Sequence, residues 1–347
     1  MKTISFEHQH FKLFPQKACV NFTELVVFSP EHQNCKILIF KLLKLCLNLR
    51  NNKVIVVPIE ICEGFENTLF SFLKSECGFN FKSASKTTLS LHNRFIKRQP
   101  VRYDSESALA YAAYYGLVNN LKLWALIQSF REFELKGPIL DFGSGPIGIL
   151  LVAKEVGVTE ISYFEPSLHN RRLLKNFAAF LGIKTENFSV SAKFNTILAL
   201  NSLREVSNPK KAIKWLSKNL SDQGKLIIIE PGDKDSSTRL VRLKSQCGNL
   251  EVSFPCPHNK TCPMLGTKDW CHCVIELQRG RYLRELDRKL KLNHHRIKLS
   301  CLIFSKEKNL RENVLVSIKG SSATICSREG LIQVPPIKKR NLWEQIL

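Results

Sequence analysis

The chain alternates short apolar strings with helical patterns from Gly137 onward, and this alternation constrains its fold more than any other feature. Strands are predicted at PILDFGSGP, EISYFEPS, FNTILALNS and GKLIIIEPG, and helices follow the first three of them. Alternating strands and helices imply a largely parallel sheet with helices on both faces and a ligand site at the carboxyl ends of the strands. We therefore predict an α/β, doubly wound, Rossmann-like fold.

The same pattern divides the chain into five segments. Asp104 or Ser105 can cap the long helix that leads into the core, and KLSCLIFS and NVLVSI can supply later strands. The predicted segments are an N-terminal α/β region (1–100), a helical lead-in (101–135), the Rossmann-like domain (136–240), a cysteine-rich insertion with a basic helix (241–292) and C-terminal strands (293–347).

The composition favours a globular protein with a polyanionic partner. At 347 residues the chain can bury a full core, and no apolar run reaches the length of a membrane span. The 52 Lys and Arg against 30 Asp and Glu give a net charge of +22, which indicates either a solvated basic surface or a surface for RNA phosphates. The first residues, MKTISFEHQHF, have neither a secretory nor an import pattern, so a disulfide scaffold is not expected.

The segment LDFGSGPIG has the features of a cofactor-binding turn. Glycine permits a tight turn and a close approach of backbone N–H groups to a ligand above a helix N-terminus. Glu165 lies 24 residues beyond Asp141, at the end of the next strand, where a carboxylate can accept hydrogen bonds from ribose hydroxyls. An aspartate before the first glycine favours S-adenosylmethionine over NAD, and a glycine turn without a ligand is the alternative. The candidate cofactor-binding residues are Asp141, Gly143, Ser144, Gly145, Gly148 and Glu165.

Catalytic residues stay unassigned. The third predicted strand ends in ALNSLREV and lacks the N-P-P-[YF] element that holds an amino group for methylation. Pro255-Cys256 resembles the nucleophile pair of cytosine methyltransferases, but the nearby Cys262 and Cys271 make metal ligation a better use for that thiolate.

The stretch FPCPHNKTCPMLGTKDWCHC contains four of the twelve cysteines of the chain. In a reducing compartment such clustering favours a metal site over disulfides. The first three cysteines are separated by five and eight residues, which is wider than the start of a zinc knuckle. Wide loops allow thiolates to converge on a group larger than a single ion, so an iron–sulfur cluster is favoured over zinc. The third alternative is that these cysteines are ordinary buried residues without a metal. The candidates for a fourth ligand are Cys273, Cys301 and Cys326.

Together these elements resemble a known family, the methyltransferase-like proteins associated with the small ribosomal subunit in mitochondria and in some bacteria. The resemblance runs from about Tyr103 to the C-terminus and is carried by LDFGSGP, FEPS, ALNSLREV, LIIIEPGD, FPCPH…CP…WCH and ICSREG. It implies a class I methyltransferase fold, binding of rRNA and a [4Fe–4S] cluster, with Cys273 as a neighbour of that cluster. By position, the implied metal ligands are Cys256, Cys262, Cys271 and Cys326.

The glycine turn departs from the family pattern at one position. Family loops tend to read G-x-G-P-G, whereas Ile147 follows Pro146 here and the next glycine is Gly148. Because a β-branched residue tolerates positive φ poorly, we expect an altered cofactor cradle. The departure weakens the expectation of catalysis more than that of the fold.

The segment ELQRGRYLRELDRKLKL follows the cysteine stretch and has two contrasting helical faces. Its leucines repeat on one face and its basic residues on the other. The basic face is either simply solvated or contacts RNA phosphates, which would position RNA without reading its sequence. The candidate RNA-binding residues are Arg281, Arg284, Arg288 and Lys291.

We therefore expect a small-subunit assembly or translation factor that binds rRNA and a structural [4Fe–4S] cluster. Its partners are the small ribosomal subunit and its rRNA; we expect no membrane contact and a monomer away from the ribosome. The alternatives are an active S-adenosylmethionine-dependent rRNA methyltransferase and a zinc-stabilised nucleic-acid-binding protein. The missing import pattern favours a bacterial cytoplasm over the mitochondrial matrix.

Overall fold

The computed structural model describes residues 54–334, except 190–191, 248, 293–294, 307–312 and 320–321. The first half of the predicted N-terminal region (1–53) and the C-terminal tail (335–347) lie outside the described residues. Within the described part, no helix is long and apolar enough to cross a membrane.

One large sheet organises the described residues. Its strands are β1 (Val54–Val57), β2 (Ile139–Phe142), β3 (Glu160–Phe164), β4 (Lys184–Asn187), β5 (Phe194–Leu200), β6 (Leu220–Pro231), β7 (Glu251–Phe254), β8 (Cys273–Leu277) and β9 (Arg296–Ser305). They lie in the order β1-β8-β9-β6-β5-β2-β3-β4, and β7 also pairs with β9. The helices are α1 (Ile59–Cys77), α2 (Phe81–Ile96), α3 (Ser105–Tyr111), α4 (Leu117–Ser129), α5 (Leu150–Glu155), α6 (Leu168–Leu181), α7 (Pro209–Lys218), α8 (Lys234–Arg242) and α9 (Arg281–Leu290).

The strands from β6 to β4 form the doubly wound part of the sheet. All four neighbouring pairs among β6, β5, β2, β3 and β4 are parallel. The central strands are continuous apolar runs, as expected for strands covered on both faces, and the run from Leu226 to Ile229 is fully buried. The strand order and pairing confirm the predicted α/β, Rossmann-like class I methyltransferase fold.

The other half of the sheet is built around an antiparallel strand. β9, which contains the predicted strand KLSCLIFS, runs antiparallel to β6, β7 and β8. β1 extends the edge by pairing in parallel with β8, so the described end of the predicted N-terminal region contributes to the main sheet. The sequence pattern predicts neither β4, whose residues KTEN are polar, nor β8, which directly follows the cysteine stretch.

The helical lead-in covers the glycine turn. Asp104 is the N-cap of α3 and accepts a hydrogen bond from the Ser107 backbone N–H at 2.8 Å, which confirms the predicted cap. A π-helical turn, Ala112–Gly116, then connects α3 to α4. A Cβ atom on Gly116 would lie 2.7 Å from the Ile147 side chain, so the glycine leaves the space that Ile147 fills in the turn after β2.

A second, smaller sheet holds the late cysteine. It comprises β10 (Asn313–Lys319), β11 (Ser322–Ser327) and β12 (Leu331–Val334), paired antiparallel in that order. The predicted strand NVLVSI is part of β10, and Cys326 lies on β11 with its side chain buried. The C-terminal strands of the chain are therefore divided between the two sheets.

Candidate functional site

The glycine turn after β2 has the strained backbone that its sequence predicts. Gly143, Gly145 and Gly148 have φ values of 71°, 65° and 48°. A Cβ atom on Gly143 would lie 2.4 Å from the Cβ of Ser202, at the end of β5, so only glycine fits between these two strand ends. Ile147 has no positive φ, because Gly148 takes up the left-handed conformation instead.

Asp141 holds the turn from beneath. Its Oδ2 accepts a hydrogen bond from the Ile149 backbone N–H at 3.0 Å, and it lies 2.6 Å from the position that a Cβ on Gly148 would occupy. The side chain is 2% exposed, and burial raises the pKa of this carboxyl to about 7. Asp141 therefore stabilises the turn itself.

We expect Asp141 to make the stability of the protein depend on pH. Its carboxyl keeps a proton in the folded state up to about pH 7, whereas the unfolded chain releases that proton near its ordinary pKa of 3.8. The folded state thus binds more protons in this window, and the free energy of unfolding falls as pH rises through it. Asp141→Asn should flatten the profile by up to about 4 kcal/mol.

Urea unfolding at several pH values between about 4 and 8 measures this effect. Glu155→Gln, a change at an exposed position, is the control and should leave the profile as in the wild type. Glu230 contributes in the same direction, since burial raises its pKa to about 7, so Asp141→Asn should reduce the slope without abolishing it. An unchanged slope in Asp141→Asn would refute the assignment.

Glu165 closes the turn from the side. Its carboxylate accepts hydrogen bonds from the backbone N–H of Gly145 at 2.7 Å and of Ser167 at 2.8 Å, and from the Asn170 amide at 3.3 Å. The sequence predicts this carboxylate as an acceptor for ribose hydroxyls. In the structure it is buried and bound to the protein's own backbone.

The space beside the turn is small. A cavity of about 10 Å³ lies there, lined on the helical side by Tyr111 and Asn119 and on the turn side by Asp141 and Ser144. Such a volume accommodates about one water molecule. Within the described residues, the hydroxyls of Ser144 and Ser202 are buried without a hydrogen-bond partner. The polar groups of a cofactor cradle are therefore present beside this cavity.

A buried polar network adjoins the cavity, and sequence reasoning missed it. The Asn201 amide donates to Asn119 Oδ1 at 2.7 Å, and Lys122 Nζ donates to the same oxygen at 3.3 Å. Burial lowers the pKa of Lys122 to about 8, against the opposing effect of Glu230. The sequence does contain a sign of this network. Asn119 and Lys122 are polar residues inside the apolar run of α4, and Asn201 immediately follows β5.

The predicted metal ligands lie in one region beside the carboxyl end of β6. Cys262 and Cys326 are buried in one apolar cluster, and Cys271 packs against it. Cys256 belongs to the neighbouring core, and the charges of Cys262 and Cys326 act on its thiol. Burial raises the pKa of Cys256 to about 11 and also raises that of Cys326. Burial therefore disfavours the thiolate form of Cys256 and Cys326.

Hydrogen bonds fix the last part of the cysteine stretch to the main sheet. The Cys271 carbonyl accepts from the hydroxyls of Ser237 at 3.0 Å and Ser300 at 2.9 Å. The Trp270 indole N–H donates to the Gly232 carbonyl at 2.7 Å, and the Lys298 ammonium lies 5.4 Å from the centre of the Trp270 ring. Cys271 is therefore positioned by α8, β6 and β9 together.

The described residues do not include a formed metal site. No three His, Cys, Asp or Glu side chains among them are grouped so that they could hold a metal ion. Of the other candidates for the fourth ligand, Cys273 begins β8 and Cys301 lies in the core of β9. Cys326 is the one that shares an apolar cluster with Cys262.

Helix α9 has the two faces that its sequence predicts. Leu283, Leu286 and Leu290 are buried, and the four candidate RNA-binding residues are exposed. Buried Glu66 on α1 accepts hydrogen bonds from the backbone N–H groups of Tyr282 and Leu283, which stabilises the first turn of the helix. The helix is thus held rigidly, and its basic face points away from the core.

One family model matches the chain over residues 107–328, and its description is "Mitochondrial small ribosomal subunit Rsm22". The match includes the glycine turn, the cysteine stretch, α9 and Cys326. A comparison with curated proteins finds no match.

Solved structures similar to this chain include three methyltransferases. A TehB-like SAM-dependent methyltransferase from Corynebacterium glutamicum is 12% identical, with 66% of this chain and 100% of that chain covered and a TM-score of 0.34. A SAM-dependent methyltransferase from Thiobacillus denitrificans, in complex with S-adenosyl-L-homocysteine, is 13% identical, with 55% of this chain and 91% of that chain covered and a TM-score of 0.32. An rRNA methylase from Escherichia coli is 11% identical, with 69% of this chain and 82% of that chain covered and a TM-score of 0.35. The fold assignment rests on the strand order and on the parallel pairing of β6 to β4.

Proposed function

Since this chain belongs to the family described as mitochondrial small ribosomal subunit Rsm22, we propose that it acts in the assembly or translation function of the small ribosomal subunit. The observation that carries the proposal is the continuous match over residues 107–328, which includes both candidate sites. The family description also favours the mitochondrial matrix, the alternative to the predicted bacterial cytoplasm. The direct test is co-sedimentation of the tagged chain with small-subunit particles. Sedimentation only as free protein would contradict the proposal.

The proposal includes a structural [4Fe–4S] cluster held by Cys256, Cys262, Cys271 and Cys326. Two observations support the fit of these residues to the group: three of the four thiols are buried in one region, and hydrogen bonds anchor the fourth, Cys271. When bound, such a group supplies metal–thiolate bonds that stabilise the fold. Those bonds would join the cysteine stretch to β11 of the smaller sheet.

We propose further that the glycine turn serves as a scaffold. Glu165 is occupied by backbone N–H groups, and the adjacent cavity has room for about one water molecule. The second candidate, an active rRNA methyltransferase, is favoured by the Ser144 hydroxyl, which lines that cavity and has no hydrogen-bond partner among the described residues. Bound S-adenosylmethionine would supply the methyl group, and Glu165 would be the candidate acceptor for its ribose hydroxyls.

Isothermal calorimetry with S-adenosylmethionine distinguishes the two candidates. The scaffold proposal predicts no heat of binding for the wild type and for Glu165→Gln alike. Saturable heat with the wild type that Glu165→Gln weakens would instead support the methyltransferase.

The exposed face of α9 is proposed to contact rRNA phosphates. Replacing Arg281, Arg284, Arg288 and Lys291 together by glutamine should weaken binding to small-subunit rRNA. The slope of log K against log salt should also fall in magnitude by about 3 to 4, if each side chain releases roughly one counterion. Fluorescence anisotropy at several salt concentrations measures both effects.

Helix α7 offers a matched control for this experiment. Its four lysines, Lys210, Lys211, Lys214 and Lys218, are also exposed, so their replacement by glutamine removes the same charge. We expect the α7 variant to retain most of the affinity and the salt slope. Equal losses in the two variants would show that general charge, and not α9, determines the binding.

A further inference from the structure

Helix α2 and the loop that follows it form a basic surface without acidic residues. From Cys77 to Tyr103 the chain has six lysine and arginine residues and neither aspartate nor glutamate. The buried residues of α2 repeat at Ala84, Thr88 and Leu91, and the opposite face of the helix is exposed. Such a face complements a polyanion. Its exposed basic residues, with those of the loop, are Lys82, Lys86, Arg94, Lys97, Arg98 and Arg102.

The first turn of α2 lies against α9, the helix with the candidate RNA-binding residues. The Lys289 ammonium of α9 lies 4.5 Å from the centre of the Phe81 ring. On the other side of α2, the Thr87 hydroxyl donates to the Glu106 carboxylate of α3 at 2.8 Å. A helix of 16 residues is about 24 Å long, so α2 leads from α9 to a distant part of the surface.

The last turn of α2 reaches the edge of the sheet at which the glycine turn lies. The Phe95 ring makes an edge-to-face contact with the Tyr111 ring at 6.1 Å, and its carbonyl accepts from the Arg204 guanidinium, after β5, at 3.1 Å. Tyr111 lines the cavity beside the turn and lies 3.6 Å from the position of a Cβ on Gly145. Helix α2 therefore connects α9 with the carboxyl ends of the parallel strands.

The loop after α2 is fixed at the same edge. The Gln99 N–H donates to the Arg94 carbonyl at 2.9 Å and the Arg98 N–H to the Phe95 carbonyl at 3.2 Å. Arg98 has a φ of 54°, in a position that glycine usually takes at the end of a helix. Its guanidinium forms an ion pair with Asp235 of α8. The loop is thus held against α8, which follows the carboxyl end of β6.

Most of the charges on this surface are not neutralised by the protein. Arg98 is paired with Asp235, whereas Lys82, Lys86, Lys97 and Arg102 form no ion pair with a carboxylate among the described residues. These four cations are separated along the helix and its loop, and no acidic residue lies between them in the sequence. They are therefore available to the phosphates of a nucleic acid.

Two apolar side chains lie on the same exposed face. Leu89 is 41% exposed and Ile96 is 66% exposed, and their spacing of seven residues places them two turns apart on one side of α2. RNA presents ribose and base surfaces next to its phosphates, and apolar side chains can contact them. The alternation of unpaired cations with exposed apolar groups favours RNA over a solvated face.

We infer that α2 and its following loop, residues 82–102, form a second contact surface for small-subunit rRNA. This inference rests on the proposed rRNA contact of α9, which the surface extends toward the glycine turn. The bound RNA segment passes the carboxyl ends of the parallel strands. This placement holds for both candidates for the glycine turn, the scaffold and the methyltransferase.

The first test removes the four unpaired charges from the full chain. Replacing Lys82, Lys86, Lys97 and Arg102 together by glutamine should weaken binding to small-subunit rRNA by at least about tenfold and reduce the slope of log K against log salt by about 3. Fluorescence anisotropy measures both quantities, and urea unfolding verifies that the variant is folded. The α7 glutamine variant removes the same charge and should retain most of the affinity.

The second test places a photo-crosslinking side chain on the surface. Ile96→p-benzoyl-phenylalanine, irradiated in the presence of small-subunit particles, should form cross-links to rRNA. Phe180, which is 46% exposed on α6, is the matched control position and should form few or none. Cross-links from position 96 to ribosomal protein only would identify a protein partner and overturn the inference.

The outcomes separate this inference from the proposal on which it rests. Wild-type affinity and salt slope in the α2 variant, together with a loss in the α9 variant, would overturn this inference alone. Equal losses in the α2 and α7 variants would also overturn it, since general charge would then be the cause. A wild type that does not bind small-subunit rRNA would contradict the proposed α9 contact, and this inference with it.

Discussion

Cys326→Ser is expected to remove most of the iron from the anaerobically purified protein, from about four iron atoms per chain to fewer than one. Cys326 is buried in the apolar cluster that also contains Cys262, and Cys271 packs against that cluster. A serine hydroxyl is a poor substitute for thiolate toward iron, and three remaining ligands in an apolar region leave the group exposed to loss. Iron and sulfide analysis together with the visible spectrum measures the effect.

Cys273→Ser is the matched control for this experiment. Cys273 is only two positions beyond Cys271, but it begins β8 and pairs there with Leu299 of β9. Its replacement should leave iron and sulfide as in the wild type. Iron loss in Cys273→Ser with retention in Cys326→Ser would refute the ligand assignment.

Gly143→Ala is expected to lower the free energy of unfolding by about 2 to 4 kcal/mol. A φ of 71° costs an alanine about 1 kcal/mol relative to glycine. The added methyl would lie 2.4 Å from the Ser202 Cβ, so the ends of β2 and β5 must separate, at a further cost of about 1 to 3 kcal/mol. Urea unfolding of the purified variant measures the loss.

Two further variants separate the strain from the steric contact. Gly157 has a φ of 75° and no neighbour within 4 Å of its hypothetical Cβ, so Gly157→Ala should cost about 1 kcal/mol. Ser202→Gly removes the opposing Cβ and should recover much of the stability in the Gly143→Ala background. If Gly143→Ala and Gly157→Ala have equal costs, the close approach of the two strand ends is not the cause.

The fold could be predicted because the patterns that determine its strands and helices lie within short segments of the sequence. The apolar strings of β2, β3, β5 and β6, the helices between them and the cap at Asp104 are each visible within a few residues of sequence. β4 was missed because KTEN lacks an apolar pattern, and it forms by pairing with β3. β8 was missed because it directly follows the cysteine stretch, whose composition suggests a loop.

The candidate sites depend more on contacts between distant parts of the chain. The sequence indicates that Glu165 follows a strand, but the direction of its carboxylate depends on the closure of the turn at Gly145. Asn119 and Asn201 meet only in the folded protein. The basic face of α9 is visible in the sequence, whereas its cap, Glu66, lies more than 200 residues earlier in the chain.

Metal analysis with a visible spectrum of the anaerobically purified chain tests the central proposal most directly. We expect a brown protein that absorbs near roughly 400 nm and contains about four iron atoms and four sulfides per chain. A colourless protein with about one zinc atom would contradict the cluster and favour the zinc-stabilised alternative.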